Sequence, residues 1–295
     1  MKPKVSIILL NLNQPLLTID CVKSLQRCLY PNIEIIVVDQ ASSDDSVELL
    51  SQLKNINLIA NKTNLGFTGG NNLGIKAATG EYFLLLNNDT EVHPEFLEPL
   101  VAALEEDPTA GAGCPLIRFY SNPNKIQYAG GPEHIDLVFG QNSWRGWMSE
   151  YPGKYHETEP TTAAHGAAFM VKRSMTEKIG LLDDHFFIYF EELDWSLRIT
   201  EAGYKILFVP SSEILHKESM TMPKEHPFRV RMMTRNRILL SRKHLGHVKF
   251  LLSLAYVTFI SFPVNCLRYI VRRRDDLLRA YSRGFYLGLL NKNII

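Results

Sequence analysis

Three short apolar runs, each ended by polar residues, constrain the fold more than any other feature of the chain. They are VSIILL at 5–10, IEIIVV at 33–38 and YFLLL at 82–86. The segments between them, such as Leu16–Leu29, carry apolar residues at helical spacing. Strands that are apolar along nearly their whole length are typical of sheets covered on both faces by helices. The alternation therefore predicts an α/β fold with a mostly parallel central sheet.

The polar residues that end these runs are predicted to lie at one edge of the sheet. Asn11–Asn13, Asp39–Asp44 and Asn87–Asp89 each follow directly on an apolar run. Because ligands bind at the carboxyl ends of parallel strands, this edge is where we expect the functional site. Asn, Asp and Ser also form ordinary turns and helix caps. Each cluster taken alone therefore leaves both interpretations open.

A glycine-rich segment, Asn64–Gly74, lies at the start of a predicted helix. Backbone N–H groups in such a position can bind a phosphate. The segment matches neither the dinucleotide-binding fingerprint nor the P-loop. It is a weak signal by itself.

Two later groups carry titratable side chains. Glu191, Glu192 and Asp194 open a predicted helix behind the aromatic stretch HFFIYF, a setting in which one carboxylate can act as a general base. The ordinary interpretation is that acids in a first turn suit the helix dipole and that Asp194 pairs with Arg198. His216 ends a short apolar run, where it can be structural or can complete a metal site.

The segment 107–165 has a weaker pattern, with frequent Gly, Pro, Tyr and Trp. We predict hairpins and a long flexible loop there, of the kind that covers a site. The four cysteines follow no metal-ligand spacing and no disulfide framework, which favours reduced thiols in a cytosolic compartment. The first apolar run is too short for a signal peptide.

The formal charge of +1 conceals two regions of opposite charge. Residues 1–216 contain 16 Lys and Arg against 27 Asp and Glu, a net charge of −11. Residues 217–295 contain 16 against 4, a net charge of +12. A basic region of this kind favours a polyanionic partner, either nucleic acid or an anionic membrane. Since the chain has no recognised nucleic-acid-reading motif, we expect the membrane and no nucleic acid.

An uncharged stretch, 250–267, lies within the basic region between Lys249 and Arg268. Its 18 residues reach the threshold for a membrane span, but its polar residues and proline make it a poor one. A helix lying in the headgroup region and held by basic flanks to anionic lipid fits better. An ordinary helical hairpin packed on the body is the alternative.

Taken in order over residues 4–217, the motifs resemble glycosyltransferase family 2, the inverting enzymes of the GT-A fold, and most closely its bacterial rhamnosyltransferase-like members. The motifs are VSIILLNLNQ, VVDQASSDDS, NLGFTGGNNLGI, LLLNNDTEV, HGAAFMVKR, FFIYFEELDWSLRITEAGY and the closing ILH. No one of them is specific, but their ordered series is. The resemblance implies a Rossmann-like three-layer sandwich over 1–217 as the catalytic domain. It also implies a helical, basic, membrane-associated region over 218–295.

The resemblance further implies a metal site for Mn²⁺ or Mg²⁺. Asp89 and His216 match the family's metal-binding positions. Asn87 stands where the family's Asp-x-Asp motif has its first Asp, a variant typical of the rhamnosyltransferase-like branch. Asp89 is therefore the one sure carboxylate ligand.

Catalytic and binding roles are carried over in the same way. Glu192 falls on the family's base and is our preferred base, with Glu191 as the alternative and Asp194 beside them. Gly166 and Trp195 are expected at the acceptor. The residues expected at the nucleotide sugar are Leu10, Asn11, Asn13, Asp39, Asp44, Gly69, Gly70, Asn71, Asn87, Asn88 and Arg198.

We therefore expect a metal-dependent inverting glycosyltransferase that transfers a sugar to a hydroxyl of a lipid-linked or cell-surface glycan. It would be peripheral on the cytoplasmic face of the membrane. The expected donor is dTDP-L-rhamnose, with a UDP-hexose as the alternative. From another class, a membrane-tethered glycan-binding homologue without catalysis stays open, because Asn87 and Glu192 depart from the family pattern. A nucleotidyltransferase would carry a glycine-rich, basic turn after its first strand. The turn at 11–14, NLNQ, has neither glycine nor a basic residue, which argues against this class.

Overall fold

The computed structural model describes residues 1–140, 142–217, 223 and 225–291, which form two compact units. The first unit comprises Met1–Glu133, Ser143–Phe187 and Glu191–Glu218. The second comprises His134–Asn142, Ile188–Phe190 and Ser219–Ile295. The domain boundary predicted between 217 and 218 borders residues 218–222, which lie outside the described residues. That boundary stays a prediction.

The first unit contains a ten-stranded sheet within the described part of the chain. The strands are β1 (Val5–Asn11), β2 (Ile33–Asp39), β3 (Asn57–Ala60), β4 (Tyr82–Leu86), β5 (Thr90–Val92), β6 (Ala110–Phe119), β7 (Ile126–Tyr128), β8 (Glu159–Thr161), β9 (Ala168–Lys172) and β10 (Lys205–His216). Their order is β3-β2-β1-β4-β9-β6-β10-β5, with β7 beside β6 and β8 beside β10.

Helices cover this sheet. Those of the first unit are α1 (Pro15–Leu25), α2 (Ser46–Ser51), α3 (Gly66–Ala77), α4 (Leu97–Glu106), α5 (Arg173–Ile179) and α6 (Glu191–Glu201). Successive residues of β4 are all buried, as are Val5–Leu9 of β1. Because neighbouring side chains of a strand point to opposite faces, both faces of the sheet are covered. The predicted α/β sandwich of three layers is confirmed.

The sheet is mixed, and its parallel strands include those predicted from the sequence. β3, β2, β1 and β4 run parallel, whereas β9 is antiparallel to β4 and β6, and β5 is antiparallel to β10. In this register Asn11 lies beside Asp39, and His216 lies beside Thr90. The strand ends that carry the predicted polar clusters therefore meet at one edge.

The hairpins predicted within 107–165 are confirmed in part, because β6 and β7 pair antiparallel across a short connection. The length of β6 and its place inside the sheet were not predicted. Residues 110–119 form β6, a ten-residue strand that is buried almost throughout and pairs with β10 and β9. Glycine and proline hid its pattern, but Gly111 is needed for packing. A Cβ on Gly111 would lie 2.7 Å from the Met175 sulfur.

The second unit is helical in its described C-terminal part. It contains α7 (Pro227–His244), α8 (His247–Tyr256), a π-helical turn (Val257–Ser261), α9 (Phe262–Val271) and α10 (Asp275–Leu290). Among the described residues, one continuous helical stretch, His247–Val271, has the length and apolar composition that crossing a membrane requires. Only 11% of its apolar window is buried.

Candidate functional site

A chain of hydrogen bonds joins the three polar clusters at the carboxyl edge of the parallel strands. The Asn88 side-chain amide donates to Thr18 Oγ1 over 2.9 Å, and Thr18 Oγ1 donates to Asn11 Oδ1 over 2.7 Å. The Asn11 amide in turn donates to Asp39 Oδ2 over 2.8 Å. Thr18, Asn11 and Asp39 are completely buried. The chain fixes the ends of β1, β2 and β4 relative to one another.

Asp39 also organises the loop that follows β2. Its Oδ1 accepts the Ser42 N–H over 2.9 Å and its Oδ2 accepts the Ser42 hydroxyl over 2.6 Å. An ionised carboxylate has about four lone-pair positions, so the protein fills three of them. Asn13, with φ of 53°, accepts the Ser43 N–H over 2.8 Å. Asp44 is exposed and accepts the Ser46 N–H at the start of α2, the ordinary turn arrangement.

Protein groups already bind the N–H groups at the start of α3. Gly66 N–H donates to Asn64 Oδ1 over 2.8 Å, and Leu65 N–H donates to Gln40 Oε1 over 2.9 Å. Gly70 makes room for Gln40, because a Cβ there would lie 1.6 Å from the Gln40 amide nitrogen. These contacts explain the glycines by packing and leave few donors for an anion at this helix start.

The other residues of this segment and of the strand ends have similar local contacts. Asn71 is buried on α3 and donates to the Phe67 carbonyl over 2.9 Å. Gly69 lies against the Leu65 side chain. Leu10 is half-buried near the end of β1, and Asn87 N–H donates to the Ala167 carbonyl over 2.9 Å. Their predicted roles at the nucleotide sugar stay predictions.

Asp89 and His216 form a buried pair where β4 leads into β5 and β10 ends. Asp89 Oδ1 lies 3.0 Å from His216 Nε2, and the side chains are 7% and 6% exposed. His216 Nδ1 lies 2.9 Å from Gln127 Oε1, an amide oxygen that can only accept a hydrogen bond. Nδ1 therefore carries the proton, and in a neutral ring the lone pair of Nε2 faces Asp89.

This arrangement fits a divalent cation. Asp89 Oδ1 accepts no hydrogen bond from any described residue, and it faces a second lone pair at Nε2. Cis ligands of an octahedral cation, each at about 2.1 Å, lie about 3.0 Å apart, which is the spacing of these two atoms. Among the described residues no group of three or more His, Cys, Asp or Glu is placed to hold a metal. The protein would thus supply two ligands and the substrate or water the others.

Gln127 and His165 belong to this site and were not predicted from the sequence. Gln127 is the extra residue of a β-bulge between β7 and β6, a feature that redirects a side chain. The His165 ring is centred 6.0 Å from the His216 ring, and His165 Nδ1 accepts the Ala167 N–H. Burial, together with the neighbouring His216, lowers the pKa of His165 to about 3 against the opposing effect of Asp89. His165 is therefore neutral at pH 7.

The three carboxylates of α6 lie in different environments. Glu191 is 5% exposed, whereas Glu192 is partly exposed. A Cβ on Gly166 would lie 4.0 Å from Glu192 Cβ, which places these two predicted residues side by side. Asp194 is completely buried and accepts a hydrogen bond from Arg198 Nε over 2.9 Å.

Arg198 and Trp195 attach α6 to the turn after α5. Arg198 donates to the carbonyls of Ile179 and Leu181, each over 2.8 Å. Trp195 is completely buried, and its indole N–H donates to the Gly180 carbonyl over 3.1 Å. These contacts give both residues a structural role. The predicted places of Arg198 at the nucleotide and Trp195 at the acceptor stay predictions.

The backbone just before α6 is strained. Phe187, Tyr189 and Phe190 have φ of 63°, 72° and 73°, a left-handed region that costs a bulky residue about 1–3 kcal/mol. Within the second unit, the Asn236 amide holds this segment by donating to the carbonyls of Ile188 and Tyr189, each over 2.8 Å. Strain of this kind is typical of functional sites.

The chain matches a known family over much of its length. Residues 6–180, more than half of the chain, match the model of glycosyl transferase family 2. This stretch begins in β1 and ends just after α5, so it includes the strand ends that carry the hydrogen-bond chain and Asp89.

Two curated relatives are similar over about 220 residues. The low-salt glycan biosynthesis hexosyltransferase Agl10 of Haloferax volcanii is 28% identical over 75% of this chain and 71% of its own length. The N-acetylglucosaminyl-diphospho-decaprenol L-rhamnosyltransferase of Mycobacterium tuberculosis is 26% identical over 63% of this chain and 67% of its own length. Two longer relatives share only 23% and 17% of their lengths with this chain.

Solved structures share the fold at low sequence identity. GalNAc-T7, crystallised with UDP, GalNAc and Mn²⁺, is 20% identical with a TM-score of 0.63 over 79% of this chain and 48% of its own. The mannosyltransferase PcManGT of Pyrobaculum calidifontis, in complex with GDP-Man and Mn²⁺, is 15% identical with a TM-score of 0.61 over 99% of this chain and 89% of its own.

Proposed function

The chain belongs to glycosyl transferase family 2 and is a glycosyltransferase of the GT-A fold, and on this premise we propose that it transfers L-rhamnose from dTDP-L-rhamnose to a glycan hydroxyl. The acceptor would be a lipid-linked or cell-surface glycan, and the anomeric configuration would invert. The similarity to an L-rhamnosyltransferase that acts on a diphospho-decaprenol substrate supports this choice of donor and acceptor. The observation that carries metal-dependent transfer from a nucleotide sugar is the convergence of Asp89 and His216 at 3.0 Å.

Asp89 and His216 would hold Mn²⁺ or Mg²⁺. When bound, the cation takes up negative charge that develops on the departing nucleotide diphosphate. Gln127 fixes the tautomer of His216 and so keeps Nε2 available as a ligand. Because the described residues would supply two ligands, binding of the cation should depend strongly on the diphosphate that completes its shell.

Glu192 is proposed as the base that accepts the proton of the attacking hydroxyl. Its partial exposure supports this role, since a base must reach the acceptor. Asp194 is less suited to this role because it is completely buried and accepts a hydrogen bond from Arg198, and Glu191 is more deeply buried than Glu192. Asp39 is proposed to bind the nucleoside, because one lone-pair position of Oδ1 is left by its protein partners.

The test is nucleotide release. The purified protein with Mn²⁺ and an acceptor glycan should release dTDP from dTDP-L-rhamnose faster than UDP from UDP-hexoses. Glu192→Gln should lower kcat by at least about a hundredfold while the donor still binds, because general-base catalysis supplies about that factor. Glu191→Gln is the matched control and should keep most activity.

Two results would decide for the alternatives. Larger thermal stabilisation by UDP than by dTDP would replace rhamnose by a UDP-hexose donor. No release from any nucleotide sugar, with glycan affinity unaffected by Asp89→Ala, would identify a glycan-binding protein without catalysis.

We also propose that residues 218–295 attach the enzyme peripherally to the cytoplasmic face of an anionic membrane. The helical stretch His247–Val271 exposes large apolar side chains, including Leu251 at 62% and Phe259 at 74%. Arg268 and Arg272–Arg274 follow them and would meet lipid phosphates.

The double substitution of Leu251 and Phe259 by Glu should abolish sedimentation with anionic vesicles. Leu16→Glu, at an exposed position of the first unit, should leave sedimentation unchanged. Protein that resists extraction by carbonate would indicate a spanning helix instead.

A further inference from the structure

Three arginines line a pocket in the second unit, apart from the apolar side chains and the basic cluster 272–274 assigned above. Arg231 of α7 and Arg279 and Arg283 of α10 surround a cavity of about 270 Å³. Phe228 and Ala280 give it apolar walls. A cavity of this size can hold a phosphate or diphosphate group.

Two glycines of α10 force these arginines together. A Cβ on Gly284 would lie 2.4 Å from the Arg231 carbonyl, and one on Gly288 would lie 3.1 Å from the Arg235 carbonyl. The two backbones therefore approach more closely than larger side chains would allow. This close packing of α7 against α10 holds Arg231 near the arginines of α10.

No described carboxylate neutralises the three arginines. The one acid that lines the cavity, Asp276, is already held by Arg274 through two hydrogen bonds of 3.0 and 2.9 Å. Arg231 Nε is buried and has no hydrogen-bond partner among the described residues. Burial, and next the charge of Arg283, lower the pKa of Arg231. The guanidinium lies 5.3 Å from the centre of the Phe228 ring, which limits its hydration.

We propose that this pocket binds a phosphate or diphosphate group through Arg231, Arg279 and Arg283. Planar guanidinium groups donate paired hydrogen bonds to phosphate oxygens, and an anion would relieve the repulsion between the arginines. The group is either a soluble phosphate or the headgroup of a lipid. The inference does not depend on the transferase site, which lies in the first unit.

The test compares arginines inside and outside the pocket in the full-length protein. Arg231→Gln and Arg283→Gln remove pocket donors, and Arg27→Gln removes the same charge from an exposed position of the first unit, outside the pocket. Binding of inorganic pyrophosphate is measured by calorimetry in EDTA, so that no metal-bound diphosphate contributes. Flotation with phosphatidic-acid vesicles, against neutral phosphatidylcholine vesicles, forms the second arm.

Each pocket variant should weaken binding at least about tenfold, since charge-assisted hydrogen bonds are lost, while Arg27→Gln changes it less than about twofold. If the pocket variants weaken binding of both pyrophosphate and phosphatidic-acid vesicles and the control does not, the pocket is a site for phosphate in solution. If they weaken only the binding of vesicles, it is a site for a lipid headgroup. Equal losses in Arg231→Gln and Arg27→Gln would overturn the proposal, as would no saturable binding of any probe. If Arg231→Gln fails to fold by circular dichroism, the exposed Arg283→Gln decides the outcome.

Discussion

Replacing Thr18 by valine should break the hydrogen-bond chain at the sheet edge while nearly preserving side-chain shape. Thr18 is completely buried, donates to Asn11 Oδ1 over 2.7 Å and accepts from Asn88 over 2.9 Å. The buried Asn11 Oδ1 would lose its hydrogen-bond donor, which lowers the free energy of unfolding by about 1–3 kcal/mol. The loss at the half-buried Asn88, which can turn to water, adds up to about 1 kcal/mol. We expect the free energy of unfolding to fall by about 2–3 kcal/mol.

The measurement is differential scanning calorimetry of the full chain, followed at the transition of the first unit. The expected loss corresponds to a decrease in Tm of roughly 4–12 °C for a domain of this size. Thr18→Ser is the control, because it keeps the hydroxyl and loses only a methyl group, worth about 1 kcal/mol. If Thr18→Ser destabilises the protein as much as Thr18→Val, packing and not hydrogen bonding explains Thr18, and the reasoning is refuted.

Three further predictions follow from single contacts. Gln127→Leu should raise the Mn²⁺ concentration for half-maximal activity about tenfold or more, because His216 Nδ1 loses its hydrogen-bond acceptor. Gln127→Glu retains an acceptor and should leave that concentration nearly unchanged. Equal shifts of the two variants in a metal titration would contradict this. Gly74→Ala should destabilise the protein by about 1–3 kcal/mol, since the added Cβ would lie 2.5 Å from a β1 side chain. Gly113→Ala, whose Cβ would meet its neighbours at 3.6 Å, should be nearly neutral in the same denaturant titration. Burial disfavours the ionised form of Glu34, but hydrogen bonds from neighbouring hydroxyl, amide and ammonium groups outweigh it and lower the pKa from 4.5 to about 2. Its ionised form therefore stabilises the fold above about pH 4.5, and that contribution is lost as the pH falls towards 2. Glu34→Gln should flatten the pH dependence of stability in this window, and an unchanged acid-unfolding curve would contradict the assignment.

The parallel strands could be predicted because their sequence pattern has one physical cause. β1, β2 and β4 are buried on both faces for much of their length, so their residues are apolar with almost no alternation. The polar residues after them mark the sheet edge for the same reason, since burial ends where the strand leaves the sheet. The sequence thus sufficed to place Asp39 and Asn88 at one edge.

The packing contacts of Trp195 and Arg198 could not be predicted in this way. Trp195 and Arg198 sit on a helix that opens with three acids, and the sequence gives no sign that they contact the carbonyls of 179–181. An aromatic and a basic side chain beside proposed catalytic residues have the composition of a binding site. The burial of Trp195 and the hydrogen bonds of Arg198 show that these two residues attach α6 to the turn after α5.

The strand β6 explains why Gln127 was not predicted. Gly111, Gly113 and Pro115 hide it in the sequence, although Phe119, at its end, lies beside His216 of β10. On its other side β6 pairs with β7, whose bulge carries Gln127. β6 is therefore the spacer that brings Gln127 to within 2.9 Å of a histidine 89 positions later in the chain. Without β6, the sequence can suggest that His216 binds a metal, but not which nitrogen is free to do so. The hydrogen bond to Gln127 decides this, because in the neutral ring it leaves the lone pair of Nε2 facing Asp89.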